Sequence, residues 1–315
     1  MSGSRRVAVL KGGRSMEREV SLRSGANVEA ALRRLGHEVI PVDADPSLVR
    51  TLRAERPDVV FVAMHGKGGE DGTVQELLEI LDIPYTGSGV QACARAMDKV
   101  MAKAVFANAG IATPPAFAFG ESAFRELGAA DALMEIETRL GLPLVVKPAK
   151  QGSALGITVA REPNDVPRAL MTALSFDDHV LLERFVRGRE IAVTVLGTDD
   201  PEALPAVEAV LSGDFYDFEA RYTPGMTELV APADLRPELA DEVAQTALAC
   251  YAALGCRGFG RVDMIVDADE QVWVLEINPI PGMTDTSLLP KAATAAGLSF
   301  DEVIERVLAD ASLGG

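Results

Sequence analysis

The chain has 315 residues, 48% of them hydrophobic and 24% charged, and a net charge of −17. That length allows two or three domains with substantial cores, and acidity spread along the chain argues against nucleic acid as a partner. No apolar run approaches the ~18 residues of a membrane-spanning helix, and three sparse cysteines, Cys93, Cys250 and Cys256, predict reduced structural thiols in a cytoplasmic protein.

Val7–Leu10 reads as a buried strand, too short for a signal segment and stopped at Lys11-Gly12-Gly13. A helix is predicted from Glu17 to Leu35, closed by Gly36. Strands follow at 37–42 and 59–64, then a helix at 75–81. Such alternation predicts a parallel sheet covered by helices. Ligands bind at the strand-to-helix junctions of such sheets, and two junctions here carry chemistry. Lys11-Gly-Gly-Arg-Ser-Met-Glu17 lacks the spacing of a dinucleotide fingerprint. Glu17, in the first turn of a helix, has the plain reading of a dipole-favourable acid. His65 follows an apolar strand and precedes glycines at 66, 68, 69 and 72. A core histidine is the plain reading there, but so much glycine suggests close approach of backbone to a ligand.

A second unit begins near Met97. Met97-Asp98-Lys99 opens a helix predicted to end at Gly110, and Thr113-Pro-Pro115 breaks the chain. A strand over 142–148 ends in Lys147-Pro148, and a polar loop at 149–156, rich in glycine, leads to another strand at 157–160. A phosphate loop of the Walker type needs a helix there, so that reading fails. A glycine-rich hairpin can still cover phosphates with backbone N–H groups, an ordinary turn being the plainer alternative. Glu183 ends an apolar strand at 180–186, and Glu190 starts the next. A segment joining two lobes suits adenine and ribose, although either acid could be a solvated or ion-paired surface group. Residues 212–229 show no sustained period and include Phe215, Tyr216, Phe218 and Tyr222, which predicts a lid. Residues 238–254 and 299–310 read as amphipathic core helices.

Near the C-terminus, Arg261–Val266 and Val272–Asn278 read as a hairpin closed by 267–271. Folding it about Asp269/Glu270 places Asp263 opposite Glu276, and alternation brings Asn278 and Arg261 to the same face. Two carboxylates and an amide are costly to bury unpaired, and oxygen ligands of this kind suit Mg²⁺ beside nucleotide phosphates. An exposed face with chance acids is the plainer reading, but these acids sit in the most apolar part of the hairpin.

Together these segments resemble an ATP-grasp ligase of the D-alanine–D-alanine ligase family. The match runs nearly end to end, through Glu17-Arg-Glu-Val-Ser21, His65-Gly-Lys-Gly-Gly-Glu-Asp-Gly-Thr73, Tyr85-Thr-Gly-Ser-Gly89, Met97-Asp-Lys99, Gly258-Phe-Gly-Arg-Val-Asp263, Pro281-Gly-Met-Thr284 and Ser287-Leu288. The resemblance implies an α/β protein of ATP-grasp fold. A parallel α/β domain (1–96) would bind substrate. A central domain (97–188) with a glycine-rich lid and a C-terminal domain (189–315) with a mobile lid loop would hold ATP between them. It further implies Lys99 and Lys147 at the phosphates and Gly152 and Ser153 in the glycine lid. Glu183, Phe185, Val186, Glu190, Arg221 and Leu275 would surround the nucleotide. Asp263, Glu276 and Asn278 would bind two Mg²⁺ ions, with Mn²⁺ as substitute and K⁺ as a further candidate.

The implied chemistry forms an acyl phosphate on one D-alanine, which the amine of a second attacks, to give D-alanyl-D-alanine for peptidoglycan precursors. Glu17, supported by His65, would anchor the first ammonium. Arg261 and the Gly282 N–H would hold the oxyanion, and Ser287 and Leu288 the second carboxylate. Ser153, Tyr222 and Glu17 match a hydrogen-bonded triad, and a homodimer is the family's assembly. Four positions depart from the usual pattern: Arg221, Ala154 and Arg184 replace a lysine, a serine and a lysine, and Pro279-Ile280 replaces Thr-x beside the acceptor site. Tyr222, where depsipeptide-forming relatives carry histidine, points to an amide product. The alternative is another amino-acid pair, such as one ending in D-serine.

Overall fold

The computed structural model describes residues 3–211 and 227–314. Three sheets organise them. The first is parallel, in the order β2 (Glu38–Asp43), β1 (Arg6–Lys11), β3 (Val59–Val62). Val7–Leu10 and Val59–Val62 are wholly buried, which is why both read as unbroken apolar runs. Helix α1 (Arg18–Arg34) packs on this sheet. Helices α2 (Leu48–Glu55) and α3 (Thr73–Ile80) follow. β3 stops at Val62, two residues before the strand expected from apolarity, because the chain must turn there to present His65.

The second sheet is antiparallel, in the order β4 (Ala116–Gly120), β7 (His179–Arg184), β5 (Leu144–Pro148), β6 (Thr158–Ala160). The helices beside it are α6 (Glu121–Glu126), α7 (Leu133–Leu140) and α8 (Val166–Leu174). The third sheet runs β11 (Thr227–Val230), β10 (Val207–Leu211), β8 (Gly188–Leu196), β12 (Phe259–Asp267), β13 (Val272–Asn278), with β9 (Glu202–Ala203) paired to β8.

Two helices lie earlier in the chain than the central sheet: α4 (Val90–Met97) and α5 (Lys99–Asn108). They share the core of the third sheet, through Ala92, Ala96, Ala102 and Phe106, with helix α9 (Pro237–Leu254). The helix expected to open at Met97 is α5, which starts two residues later; Met97 instead ends α4, and Asp98 separates the two. That residue is extended, and its carboxylate caps α5 by accepting from Val100 N at 3.0 Å and Met101 N at 3.1 Å. A capping acid outbids continued helix at such a position. The chain ends with α10 (Leu288–Ala295) and α11 (Phe300–Ala309), the latter opened by a Ser299/Glu302 capping box.

The β12–β13 hairpin pairs Asp263 with Glu276 and Arg261 with Asn278, as folding about Asp269/Glu270 requires. It is not a regular ladder, however. Met264 pairs with Val274, so Leu275 is an extra residue, a bulge. Val272, Val274 and Ile277 enter the core, while Leu275, Glu276 and Asn278 stay outside it. Cys93, Cys250 and Cys256 are free and buried. No helix among the described residues is long and apolar enough to cross a membrane.

Candidate active site

The hairpin carries its acids on one face, and each acid has a cation. Arg261 grips Asp263 through two bonds, Nε to Oδ1 at 2.6 Å and Nη2 to Oδ2 at 2.8 Å. Asn278 donates to the same carboxylate at 3.2 Å. Lys99 Nζ lies 3.1 Å from Glu276 Oε2. Arg261 and Asp263 are two apart on one strand, so their side chains leave the sheet on the same side. The group Asp263, Glu276 and Asn278 offers only oxygen as metal donors, two of them carboxylates, which fits Mg²⁺. The flanking cations balance the charge of both carboxylates.

Lys99 also donates to the Gln151 carbonyl at 2.7 Å, and its backbone N–H donates to Ala149 O at 2.9 Å. The glycine-rich loop is thereby attached to α5. Within that loop Ser153 and Ala154 both take left-handed conformations, φ 51° and 55°. Such strain costs about 1–3 kcal/mol per residue and persists where the surroundings enforce it. Beside the loop, Lys147 on β5 and Glu183 on β7 are diagonal neighbours, since Val145 pairs with Glu183. Lys147 Nζ donates to Glu183 Oε1 at 2.6 Å. Glu183 is 1% exposed. Burial alone would raise it, but Lys147 and Lys103 outweigh burial and hold the carboxyl below its ordinary range. Both of its oxygens are engaged by lysines. Phe185 follows β7, with its N–H bonded to Pro143 O at 3.2 Å, and Glu190 lies in β8 opposite Ile265.

The other end of the cleft is built from the parallel sheet. Glu17 immediately precedes α1 and is buried. Its Oε1 accepts a hydrogen bond from Ser153 Oγ, joining the N-terminal sheet to the glycine-rich loop. A Cβ on Gly152 would stand 2.9 Å from Glu17 Oε2, so glycine is what lets the loop close on that carboxylate. His65 is fully enclosed. Its Nδ1 lies 3.1 Å from Ile280 O and its Nε2 2.9 Å from Ser24 Oγ. A carbonyl can only accept, so Nδ1 carries the proton and Nε2 accepts from the serine. Burial lowers this histidine to about 4, and the ring is neutral at pH 7. Glu70, from the same glycine-rich turn, accepts from Gly66 N at 2.6 Å. Burial first, then the charge of Glu17, raises it to about 8.

The loop between β13 and α10 closes this part of the cleft. Ser287 is the N-cap of α10, yet its hydroxyl makes no cap bond. It lies 2.8 Å from Thr284 Oγ1 and accepts from Thr284 N at 3.1 Å. A Cβ on Gly282 would stand 2.8 Å from Ser287 Oγ. Leu288 opens the helix, and the free N–H groups of a helix N-terminus suit a carboxylate. One cavity of about 80 Å³ is lined by Glu17, His65, Ser153, Arg261 and Asn278. Gly282, Ser287 and Leu288 line it too, and so does Glu70.

Arg221 and Tyr222, with Phe215, Tyr216 and Phe218, lie outside the described residues. Sequence reasoning missed Glu70, Ser24 and Lys103. Lys103 had a signal: it is one turn from Lys99 on an otherwise apolar helix.

A parallel α/β unit and two antiparallel lobes, with lysines and paired carboxylates between the lobes, define an ATP-grasp enzyme. The model of the D-ala D-ala ligase C-terminus matches residues 105–309, and that of the N-terminus residues 47–88. The chain is 47% identical over 309 residues to the D-alanine–D-alanine ligase of Syntrophotalea carbinolica, covering 98% of this chain and 97% of the other. Among solved structures, the D-alanine–D-alanine ligase of Bacillus anthracis complexed with ATP superposes with a TM-score of 0.82 at 32% identity, over 98% and 97% of the two chains. A D-Ala:D-Ser ligase of Enterococcus faecalis gives 0.84 at 30% identity, over 98% and 99%. The chain belongs to the D-alanine–D-alanine ligase family.

Proposed function

We infer that the protein joins two D-alanines to D-alanyl-D-alanine at the expense of ATP, releasing ADP and phosphate, for peptidoglycan precursors. The observation that carries this reading is the single cavity in which Glu17 and Ser153 meet Arg261, Gly282 and Ser287. An anchor for an ammonium, donors for an oxyanion and a helix N-terminus for a carboxylate share one space beside the phosphate lysines.

In the first half-reaction, a carboxylate oxygen of the donor D-alanine attacks the γ-phosphorus and ADP leaves. Glu17 holds the donor ammonium, and His65 fixes the acceptor loop to the first sheet by its bond to Ile280 O. Lys99 and Lys147 bind the phosphates, and their standing charge stabilises the transferring group. Asp263, Glu276 and Asn278 would hold Mg²⁺, which would add positive charge against the phosphoryl oxygens; Mn²⁺ is expected to substitute. In the second half-reaction, the acceptor amine, having shed a proton, attacks the acyl carbon and phosphate departs. Arg261 and the Gly282 N–H receive the oxyanion, while Ser287 and the Leu288 N–H grip the acceptor carboxylate. Both oxygens of Glu183 are taken by lysines, so the adenine amine is met by the segment that follows Glu183 toward Val186. Phe185, Val186 and Leu275 wall the base, Glu190 meets the ribose, and Gly152 covers the phosphates. Arg221 and Tyr222 complete the closed site from the lid, which must exclude water from the acyl phosphate.

The chain is read as three units, 1–96, 97–188 and 189–315, acting in the cytoplasm as a homodimer, a state that light scattering checks. The decisive assay is phosphate release with ATP, Mg²⁺ and a panel of D-amino acids, products identified by mass, with Na⁺ and K⁺ exchanged in parallel arms. D-Ala-D-Ala as the main product is expected. D-Ala-D-Ser or D-Ala-D-lactate as the main product would overturn the assignment.

A further inference from the structure

Lys103 has no part in the roles above, yet it is buried in the nucleotide cleft. It stands on α5, whose Ala102 and Phe106 belong to the core of the C-terminal lobe. Its ammonium donates to Glu183 Oε2, on β7 of the central lobe, and to Thr113 Oγ1 at 2.6 Å in the connector between the two. Lys99, one turn earlier, likewise reaches both lobes, through Glu276 and Gln151 O. The lysine face of α5 therefore stitches together the two bodies that hold ATP.

The charges are unequal. Lys103 and Lys147 share one carboxylate, that of Glu183, so two positive charges less one negative leave one buried positive charge. Burial and the Lys147 charge work against ionisation of Lys103, and Glu183, which it shares with Lys147, offsets them only in part. A polyphosphate entering the cleft relieves the remaining positive charge.

We propose that Lys103 is a positioning residue of the nucleotide site: by holding Glu183 from the C-terminal lobe, it sets the place of Lys147 and the closure of the two lobes around ATP. The role follows from geometry. Glu183 presents one oxygen to each lysine, so moving Lys103 lets the carboxylate turn and Lys147 with it. Removal of Lys103 leaves Glu183 paired with Lys147, so no buried carboxylate is stranded and the fold should survive.

The test is direct ADP binding by calorimetry to full-length K103M, K103R, E183Q and the K103M/E183Q pair, followed by steady-state kinetics. The inference rests on ATP use by this family, and binding measured without any amino acid separates its failure from failure of the D-alanine assignment. K103M should bind ADP about tenfold more weakly, the size of one lost bond to a charged group, and raise the KM for ATP while leaving that for D-alanine unchanged. K103R should restore binding. The double variant should be no weaker than E183Q alone, because Lys103 acts through Glu183. ADP binding by K103M within about twofold of wild type, or additive losses in the double variant, would overturn the proposal. Should K103M fail to fold, Thr113→Val, which frees only the other anchor of Lys103, must still weaken ADP binding; an unchanged constant there counts against it.

Discussion

The two ends of the cleft treat buried charge in opposite ways. At the nucleotide end three acids face cations: Glu183 has Lys103 and Lys147, Glu276 has Lys99, and Asp263 has Arg261. Glu183 stays ionised because the charges of its two lysines outweigh its burial. At the amino-acid end, Glu17 and Glu70 line one cavity with a histidine that burial keeps neutral. There burial and like charge drive a proton onto Glu70. One end pairs each of these carboxylates with a cation; the other leaves two carboxylates close together, one of them holding a proton.

The largest break in this contrast is Glu276→Ala. Turnover should fall by at least about 10³-fold, the scale of removing preorganised charge stabilisation, with an unchanged melting profile. A variant with wild-type rates would remove Glu276 from the phosphate chemistry. At the other end, Glu17→Gln should lower kcat/KM for D-alanine by about 10²-fold, a charge-assisted bond's worth. It should also shift the Glu70 titration downward, because the Glu17 charge helps raise it. Carboxyl-labelled NMR that finds Glu70 unmoved would leave burial as the whole cause.

The most gradual effect is on stability against pH. Burial lowers His65 from 6.5 to about 4 in the folded protein. Between those values the unfolded chain binds the extra proton, so stability falls as pH drops through that window. The loss should approach roughly 3 kcal/mol near pH 4, and His65→Gln, followed by denaturant titration across the same range, should flatten that part of the dependence. An identical slope in the variant would place the effect elsewhere.

The hairpin site was legible because a two-residue period and one turn suffice to pair Asp263 with Glu276 and Arg261 with Asn278. The bulge was not, since an extra residue in one strand leaves the turn sequence and the apolar pattern near it unchanged. Helix α4 was hidden too: it abuts α5 with only Asp98 between them, and only the capping bonds mark the boundary. His65 was singled out by the glycines that follow it, whereas Glu17 read locally as a capping acid and drew its site role from the family resemblance alone. The spacing from Lys99 could have marked Lys103 but not its partner, which lies 80 residues away, and Glu70 stayed hidden because its proton depends on burial that no local pattern records.

Leu275 carries one last implication. The ladder closes on either side of it, Met264 with Val274 and Asp263 with Glu276, as though it were absent. A residue outside the ladder can change in size without breaking a pair, but its loss would straighten the strand and re-aim Glu276. The hairpin thus tolerates a new side chain at this position and not a missing one.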